Sequence, residues 1–247
     1  MAGLILSTGR RKILKHRIIT TLLYDETGQV VKPVAFGRPY RRLGTLRQYV
    51  RVIENRNIDE LILIDITATE QGREPNYATI RGVCDNLYCP VTVGGGVSSL
   101  AHIRELLKNG ADKVAIKTSI GITEKAAKKF GSQAIVGVID FIDSYDDYYY
   151  PWSYTRALKD LGVGEILLID DTLDGTMEGY NLELIKHVSS VSIPIIACGG
   201  CGSPEHMAQA LDMGASSVAA GSMFLYTDET PRVCAEYLDR KGYAVRT

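Results

Sequence analysis

Groups of glycine stand directly after two short apolar segments of this chain. Gly94-Gly95-Gly96 follows residues 91–93, and Gly199-Gly200 follows residues 193–198. Glycine lets backbone N–H groups come close to an anion, and a nearby hydroxyl or lysine adds a donor. We therefore predict two phosphate-binding sites, although the same glycines would also suit tight turns alone. The first is predicted from Gly96, Lys117 and Thr118, and the second from Gly175, Gly200, Gly221 and Ser222.

Carboxylates also stand at the ends of apolar segments. Asp140 ends the run AIVGVID, where it can act as a general acid or base if its pKa is tuned. The alternative is a solvated or helix-capping aspartate. Asp174 precedes a glycine, so it either contacts substrate hydroxyls or forms a turn. Asp65 and Asp170 are predicted either to bind hydroxyls or to hold loops, and the aromatic run 143–150 either to close over substrate or to contact a partner.

The chain contains an internal repeat. Residues 60–67 read ELILIDIT, and residues 165–172 read EILLIDDT, 105 positions later. At nearly the same offset, VGGGV at 93–97 is matched by CGGCG at 198–202, and GADKVAIKTS at 110–119 by GASSVAAGSM at 214–223. Duplication on this scale indicates two similar halves. Matching glycine groups in both halves support two phosphate sites better than either group would alone.

Short apolar segments alternate with helical patterns, and these elements would position the groups above. The apolar segments lack an in–out alternation, which is typical of parallel strands covered on both faces. The alternation predicts a (β/α)₈ TIM barrel of two half-barrels, forming one domain over 1–247 with a basic N-terminal extension at 1–16. A doubly wound open sheet is the alternative. The predicted strands are 17–23, 60–66, 91–93, 113–116, 134–140, 165–170, 193–198 and 217–220, and the predicted helices are 45–56, 100–109, 123–130, 151–161 and 204–213.

Composition excludes several classes of function. A formal net charge of −1 provides no basic field for nucleic acid. Five cysteines, an odd number, favour free thiols in a reducing compartment. No apolar run reaches the roughly 18 residues of a membrane span, and no signal peptide is recognisable. We therefore predict a cytoplasmic protein with no membrane or nucleic-acid partner, no metal and no cofactor, whose four histidines are solvated and far from the catalytic ends of the strands.

These motifs resemble the HisF family, the cyclase subunits of imidazole glycerol phosphate synthase. The resemblance runs from residue 17 to 245 and includes DELILIDITAT at 59–69, PVTVGGGV at 90–97, FGSQAIV at 130–136 and DGTMEGY at 174–180. It implies a phosphate-binding barrel, a phosphorylated small-molecule substrate, and a glutaminase (HisH-type) partner that passes ammonia along the barrel axis.

The resemblance also implies roles for individual residues. Arg17, Glu60, Lys113 and Glu165 fall where the family has a charged ring that gates ammonia at the N-terminal end of the barrel. Opposite charges around one axis can neutralise each other when partly desolvated, and a purely structural plug is the alternative. Asp112 would lie at the glutaminase interface. Substrate phosphates would be bound by Lys32, Gly96, Thr118, Gly175, Gly200, Gly221 and Ser222.

The chain also departs from the family. The family's cyclase uses aspartates at the ends of the first and fifth strands as acid and base; Asp140 matches the second, but Leu23 stands in place of the first. Leucine cannot transfer a proton, and Asp25 or Glu26 could substitute only if the first loop were rebuilt. Lys117 replaces an asparagine, and Ile169 replaces a polar residue.

A branch of the family shares this Leu-Leu pair and the EPNY segment at 74–77. It is associated with amidation of sugars for surface polysaccharides, using a glutaminase and a separate amidotransferase. The resemblance therefore implies a HisF-type ammonia-dependent synthase for amidine formation on a phosphorylated or nucleotide-linked sugar. The alternatives are the imidazole-forming lyase of histidine biosynthesis, and a non-catalytic ammonia conduit that activates the glutaminase.

Overall fold

A computed structural model describes residues 15–34, 37–117, 120–142 and 149–247. Thr118, most of the extension 1–16 and most of the aromatic run 143–150 lie outside these residues. The strands are β1 (Arg17–Tyr24), β2 (Gln29–Val34), β3 (Gly37–Thr45), β4 (Glu60–Asp65), β5 (Val91–Gly94), β6 (Lys113–Ile116), β7 (Ile135–Phe141), β8 (Glu165–Asp170), β9 (Ile195–Cys198) and β10 (Ser217–Ala220). The helices are α1 (Leu46–Glu54), α2 (Tyr77–Cys84), α3 (Leu100–Lys108), α4 (Ile120–Phe130), α5 (Tyr149–Asp160), α6 (Leu182–Ser189), α7 (Pro204–Asp212), α8 (Ser222–Tyr226) and α9 (Pro231–Arg240).

Eight parallel strands form a closed barrel. The order is β1, β4, β5, β6, β7, β8, β9, β10, and β10 pairs with β1 from Arg17↔Ser217 to Thr20↔Ala220 to close the ring. Helices follow the strands around the outside. The predicted (β/α)₈ barrel is therefore confirmed, and the open-sheet alternative is excluded because an open sheet leaves two unpaired edges.

Every predicted barrel strand is present, with its ends displaced by no more than two residues. Four helices and one hairpin were not predicted: α2, α6, α8, α9, and the antiparallel pair β2–β3. Helices α2, α6 and α8 have at most eight residues, too few for a clear apolar periodicity. Side-chain caps begin two of them, because Asn76 accepts from the backbone N–H of Thr79 and Asn181 from that of Leu184.

Alternate residues on each strand face the barrel axis. The inner layer is a buried apolar cluster of Ile19, Ile62, Ala115, Val136, Val138, Leu167, Ile196 and Ala219. Because side chains alternate along a strand, the same parity carries Arg17, Glu60, Lys113 and Glu165 at the N-terminal end of the barrel. It carries Leu23, Lys117, Asp140 and Ile169 at the C-terminal end. Two polar ends are thus separated by an apolar interior.

The hairpin β2–β3 extends the barrel beside β1, through the pairs Leu23↔Val31 and Tyr24↔Val30. Asp25 holds its base. The Asp25 carboxylate accepts bonds from the Thr27 hydroxyl (2.6 Å), the Thr27 and Gln29 backbone N–H groups (2.9 and 3.2 Å) and Arg42 Nε (2.7 Å). Burial alone would raise the pKa of Asp25, but these bonds lower it. The hairpin places Lys32 at the C-terminal mouth of the barrel.

Candidate active site and charged ring

Four charged side chains form a closed ring at the N-terminal end of the barrel. Arg17 Nη1 lies 2.6 Å from Glu60 Oε2, and Arg17 Nη2 lies 2.5 Å from Glu165 Oε2. Lys113 Nζ completes the ring, at 2.9 Å from Glu60 Oε2 and 2.6 Å from Glu165 Oε1. The structure therefore brings together all four residues for which the sequence predicted a ring. Their charges cancel, which leaves no net charge around the axis.

The ring is supported by hydroxyls and by its own electrostatics. Thr92 donates to Glu60 Oε1 at 2.6 Å, and Arg17 Nε donates to the Ser217 hydroxyl at 2.9 Å. Burial alone would raise the pKa of Glu165, but the bonds from Arg17 and Lys113 lower it. Burial would likewise lower the pKa of Arg17, and the two glutamates raise it. Arg17 and Glu165 are thus held in their charged forms.

Asp112 lies on the same end of the barrel, because it directly precedes β6. Its carboxylate accepts a bond from the Val91 backbone N–H at 2.8 Å, and the residue is exposed. Asp112 is therefore accessible next to the charged ring, which is compatible with the predicted interface role.

The residues predicted for the second phosphate site lie together at the opposite, C-terminal end. Lys32 Nζ binds Asp174 at 3.1 and 2.9 Å, and its stem lies beside Gly175. The Ser222 hydroxyl is buried without a partner among the described residues. A pocket here is lined by Asp174, Gly175, Cys198, Gly199, Gly200, Cys201, Ala219, Ala220, Gly221 and Ser222. The structure thus brings together every residue predicted for this site.

Glycine is required at the matching position of each half because the backbone of another loop passes too close to leave room for a Cβ atom. Gly95 and Gly199 have positive φ (+98° and +95°), and a Cβ on either would meet the carbonyl oxygen of Asp65 or Asp170 at 2.1 or 2.4 Å. The two aspartates hold the loops: Asp65 accepts from Thr67, and Asp170 accepts from Thr172, through backbone and hydroxyl groups. Of the two roles predicted for Asp65 and Asp170, the structure supports loop holding.

The first phosphate site is less complete. The Gly96 N–H donates to the Thr69 hydroxyl at 3.2 Å, so one predicted phosphate donor is already used. Lys117 was predicted beside Gly96, but its ammonium pairs with Asp140. The physical reason is that the Asp140 side chain is only 12% exposed and requires a counter-charge. Thr118 lies outside the described residues.

Asp140 occupies the inward wall of the mouth, as predicted. One carboxylate oxygen pairs with Lys117, and the other is buried without a partner among the described residues. Burial alone would lower the pKa of Lys117, but Asp140 and then Asp171 raise it. A buried, unsatisfied carboxylate oxygen at the C-terminal mouth is what a substrate-binding group would present.

Leu23 faces the mouth from β1, half a turn around the barrel from Asp140 on β7. The two proposed substitutes for the missing carboxylate are engaged elsewhere. Asp25 is fully buried at the base of the hairpin, and Glu26 lies near Arg42 (3.7 Å) and Gln71 (3.3 Å).

Sequence reasoning missed three residues at the C-terminal end. Asp171 lies next to Asp140. Side chains alternate along β8, so the inward position of Asp171 follows from that of Glu165, Leu167 and Ile169, and this alternation is the sequence signal that could have identified it. His102 and His206 lie in the first turns of α3 and α7, the helices that follow the two glycine groups, and both are partly buried. Their Nδ1 atoms lie 3.3 Å from the Ser98 N–H and 3.2 Å from the Gly202 N–H. The prediction that these two histidines are far from the catalytic ends is therefore wrong, because each lies in the first turn of a helix that follows a strand.

Among the described residues, no three histidine, cysteine, aspartate or glutamate side chains group closely enough to hold a metal ion. In the same part of the chain, no helix is long and apolar enough to span a membrane. All five cysteines are free thiols. Burial raises the pKa of Cys198 to about 12, which keeps this thiol neutral beside the predicted second phosphate site.

Comparison with known proteins relates the whole barrel to one family. The family described as "Histidine biosynthesis protein" matches residues 18–230. The imidazole glycerol phosphate synthase subunit HisF of Thermococcus onnurineus is 38% identical over 251 residues, covering 95% of this chain and 99% of that protein. Proteins provisionally named imidazole glycerol phosphate synthase subunit hisF2 are 34% identical in Campylobacter jejuni (95% of this chain, 99% of that protein) and 33% identical in Pseudomonas aeruginosa (92% and 97%). The chain therefore belongs to the histidine biosynthesis protein family and is a HisF-like barrel.

Proposed function

We propose that this chain is the synthase subunit of a glutaminase-dependent enzyme that forms an amidine on a phosphorylated or nucleotide-linked sugar for surface polysaccharide. One observation carries the proposal. An intact ring of Arg17, Glu60, Lys113 and Glu165 lies at one end of the barrel, and a mouth with Leu23 opposite Asp140 lies at the other. Ammonia would enter as in HisF, but the chemistry at the mouth would differ.

The barrel interior suits ammonia better than ammonium. Between the charged ring and the mouth lies a layer of buried aliphatic side chains, Ile19, Ile62, Ala115, Val136, Val138, Leu167, Ile196 and Ala219. An ion would lose its hydration in such a passage at a large free-energy cost, whereas neutral NH₃ would lose little. In this proposal the ring is the entry point for ammonia from a HisH-type glutaminase docked around Asp112.

Within the described part of the mouth, Asp140 has no carboxylate opposite it on β1. Asp140 and Leu23 face each other, and only Asp140 can exchange a proton. Lys117 adds a cation at the mouth that pairs with Asp140. Losing one of two groups that act on opposite faces of a substrate removes roughly 10²–10⁴ in rate. The geometry therefore favours a reaction whose proton transfer takes place on one wall of the mouth over imidazole formation.

Two alternatives follow from the same geometry. A histidine-biosynthetic cyclase would need Asp25 or Glu26 at the mouth, yet Asp25 accepts four bonds that hold the hairpin. A non-catalytic conduit would need the ring but neither phosphate site. The pocket beside Ser222 and the unpartnered hydroxyl within it favour a barrel that binds substrate. A separate amidotransferase remains a further proposed partner.

Genetic complementation separates the proposal from histidine biosynthesis. The gene is expressed in a histidine auxotroph that lacks its HisF subunit but keeps its glutaminase. We expect no growth from the natural chain. Growth would contradict the proposal and favour the cyclase. The Leu23→Asp variant is the matched test, because it restores a carboxylate to the opposite wall, and partial growth from this variant alone would assign the defect to Leu23.

Isotope transfer separates the proposal from the conduit. The chain is reconstituted with a HisH-type glutaminase and [amide-¹⁵N]glutamine, using UDP-N-acetylglucosamine as the acceptor probe, with and without the amidotransferase. We expect ¹⁵N in the sugar fraction, and a loss of that label in Asp140→Asn while glutamine hydrolysis continues. If the label is unaffected by Asp140→Asn, the barrel is a conduit.

A further inference from the structure

Asp171 lies on the same wall of the mouth as Asp140. Strand β8 directs Glu165, Leu167 and Ile169 toward the axis, so Asp171 is the next inward position beyond the strand end. Its backbone N–H bonds to the Phe141 carbonyl at 3.0 Å, which continues the β7–β8 ladder by one step. Because Asp140 pairs with Ile169 in register, Asp171 projects one layer above and beside Asp140.

The other charged groups at this mouth are already paired. Lys117 pairs with Asp140, and Lys32 pairs with Asp174. Within the described residues, the Asp171 carboxyl has neither an ion pair nor a hydrogen bond. It therefore differs from Asp140 and Asp174, each of which is paired with a lysine.

Asp170, the neighbour of Asp171 on β8, points away from the axis. Its carboxylate accepts from Thr172 and from the Asn181 amide at 2.8 Å. Asp170 is therefore committed to holding the loop, and Asp171 is left as the free carboxyl on this strand.

The surroundings of Asp171 oppose its ionisation. Burial raises its pKa, repulsion from Asp140, Asp174 and Asp170 raises it further, and Lys117 lowers it, which together bring the pKa of Asp171 to about 6. A carboxyl that titrates close to neutral pH can both accept and release a proton during turnover. The ordinary aspartate value would make it a poor acid under the same conditions.

We propose that Asp171 is the second catalytic acid–base group of this barrel, acting on the same wall as Asp140 rather than opposite it. This inference rests on the proposed ammonia-dependent function. When ammonia adds to a carbonyl-type carbon, the C–N bond forms and the π electron pair moves to oxygen. Ionised Asp171 takes the surplus proton from nitrogen and delivers it to that oxygen, so the carboxylate is regenerated. Asp140, paired with Lys117, orients the substrate.

The first test measures the titration of Asp171 in the full chain. Aspartate is labelled with ¹³C at the side-chain carboxyl, and the Asp171 signal is assigned by its loss in Asp171→Asn. We expect a midpoint near pH 6 that moves toward the ordinary aspartate value in Asp140→Asn, because the nearest like charge is gone. A midpoint below about pH 5 would overturn the proposal.

The second test measures turnover as a function of pH. In the reconstituted complex, we expect Asp171→Asn to lower ¹⁵N transfer to the acceptor by roughly 10²–10⁴ and to remove the limb of the pH profile near pH 6, with partial rescue by Asp171→Glu. Glutamine hydrolysis should be unchanged. Full ¹⁵N transfer by Asp171→Asn would overturn the proposal. A natural complex that labels no acceptor would instead count against the proposed function, while the titration midpoint still decides whether Asp171 is poised for proton transfer.

Discussion

Lys32 Nζ donates to both carboxylate oxygens of Asp174, at 3.1 and 2.9 Å, although 142 residues separate the two in the chain. The hairpin β2–β3 carries Lys32 across the C-terminal mouth to the second half-barrel. One half of the repeat thus supplies a cation to a mouth loop of the other half.

Removing this cation should weaken anion binding. We expect Lys32→Met to reduce the affinity for inorganic phosphate about tenfold or more, because a charge-assisted hydrogen bond contributes roughly 1.5–3 kcal/mol. Isothermal titration calorimetry measures the change. Lys128→Met is the control, since Lys128 lies exposed on α4 and its ion pair among the described residues is with Glu124. An equal loss of affinity in both variants would show that phosphate binding depends only on the net charge of the protein.

A Cβ at Gly200 should disrupt the second phosphate site. Gly200 has φ +89°, and its Cβ would meet the Gly179 carbonyl oxygen at 1.9 Å. We expect Gly200→Ala to lower the free energy of unfolding by about 2–4 kcal/mol. Gly72→Ala is matched, because Gly72 also has positive φ (+63°) but nothing within 4 Å, so only the ~1 kcal/mol conformational strain applies. Urea unfolding compares the two, and similar losses would argue against the close backbone approach.

Opening the charged ring should be costly for the fold. In Arg17→Met, Glu60 and Glu165 share the single cation Lys113, and their side chains are only 2% and 10% exposed. We expect a loss of about 3 kcal/mol in the free energy of unfolding, together with weaker stimulation of the glutaminase. Arg232→Met makes the same chemical change at an exposed pair on α9 and should cost less than about 0.5 kcal/mol. A small loss in Arg17→Met would indicate that the ring is solvated.

Neutralising Asp171 should stabilise the fold, but only above acidic pH. The folded pKa of about 6 lies above the unfolded value near 3.8, so the folded state opposes ionisation. The protonated Asp171 carboxyl makes its full contribution to the stability of the fold below about pH 4, and this contribution is lost as the pH rises through 6. We expect Asp171→Asn to be about 1–2 kcal/mol more stable than the natural chain at pH 8, after allowance for solvent screening, and equally stable at pH 4. Chemical unfolding at both pH values is the measurement, and an advantage that persists at pH 4 would require a cause other than this carboxyl.

Much of the barrel could be predicted because its determinants are local. Strands buried on both faces read as continuous apolar runs, and the 105-residue repeat places the glycine groups of the two halves at equivalent strand ends. The identity of the residues at those ends therefore followed from the chain alone, including Asp140, Gly200 and Leu23. The hairpin was missed because β3 reads GRPYRRLGT, a polar segment without the alternation of a half-buried strand.

Amino-acid order by itself determined which residues stand at the two ends of the barrel, because strand length and parity are encoded within a few neighbouring positions. Tertiary structure alone decided which of them meet. The ring closes because barrel closure brings Arg17, Glu60, Lys113 and Glu165 to one axis from four strands. Lys117 pairs with Asp140 because a buried carboxylate attracts the nearest cation. Such choices depend on distances between residues far apart in the chain, and local periodicity contains no information about those distances.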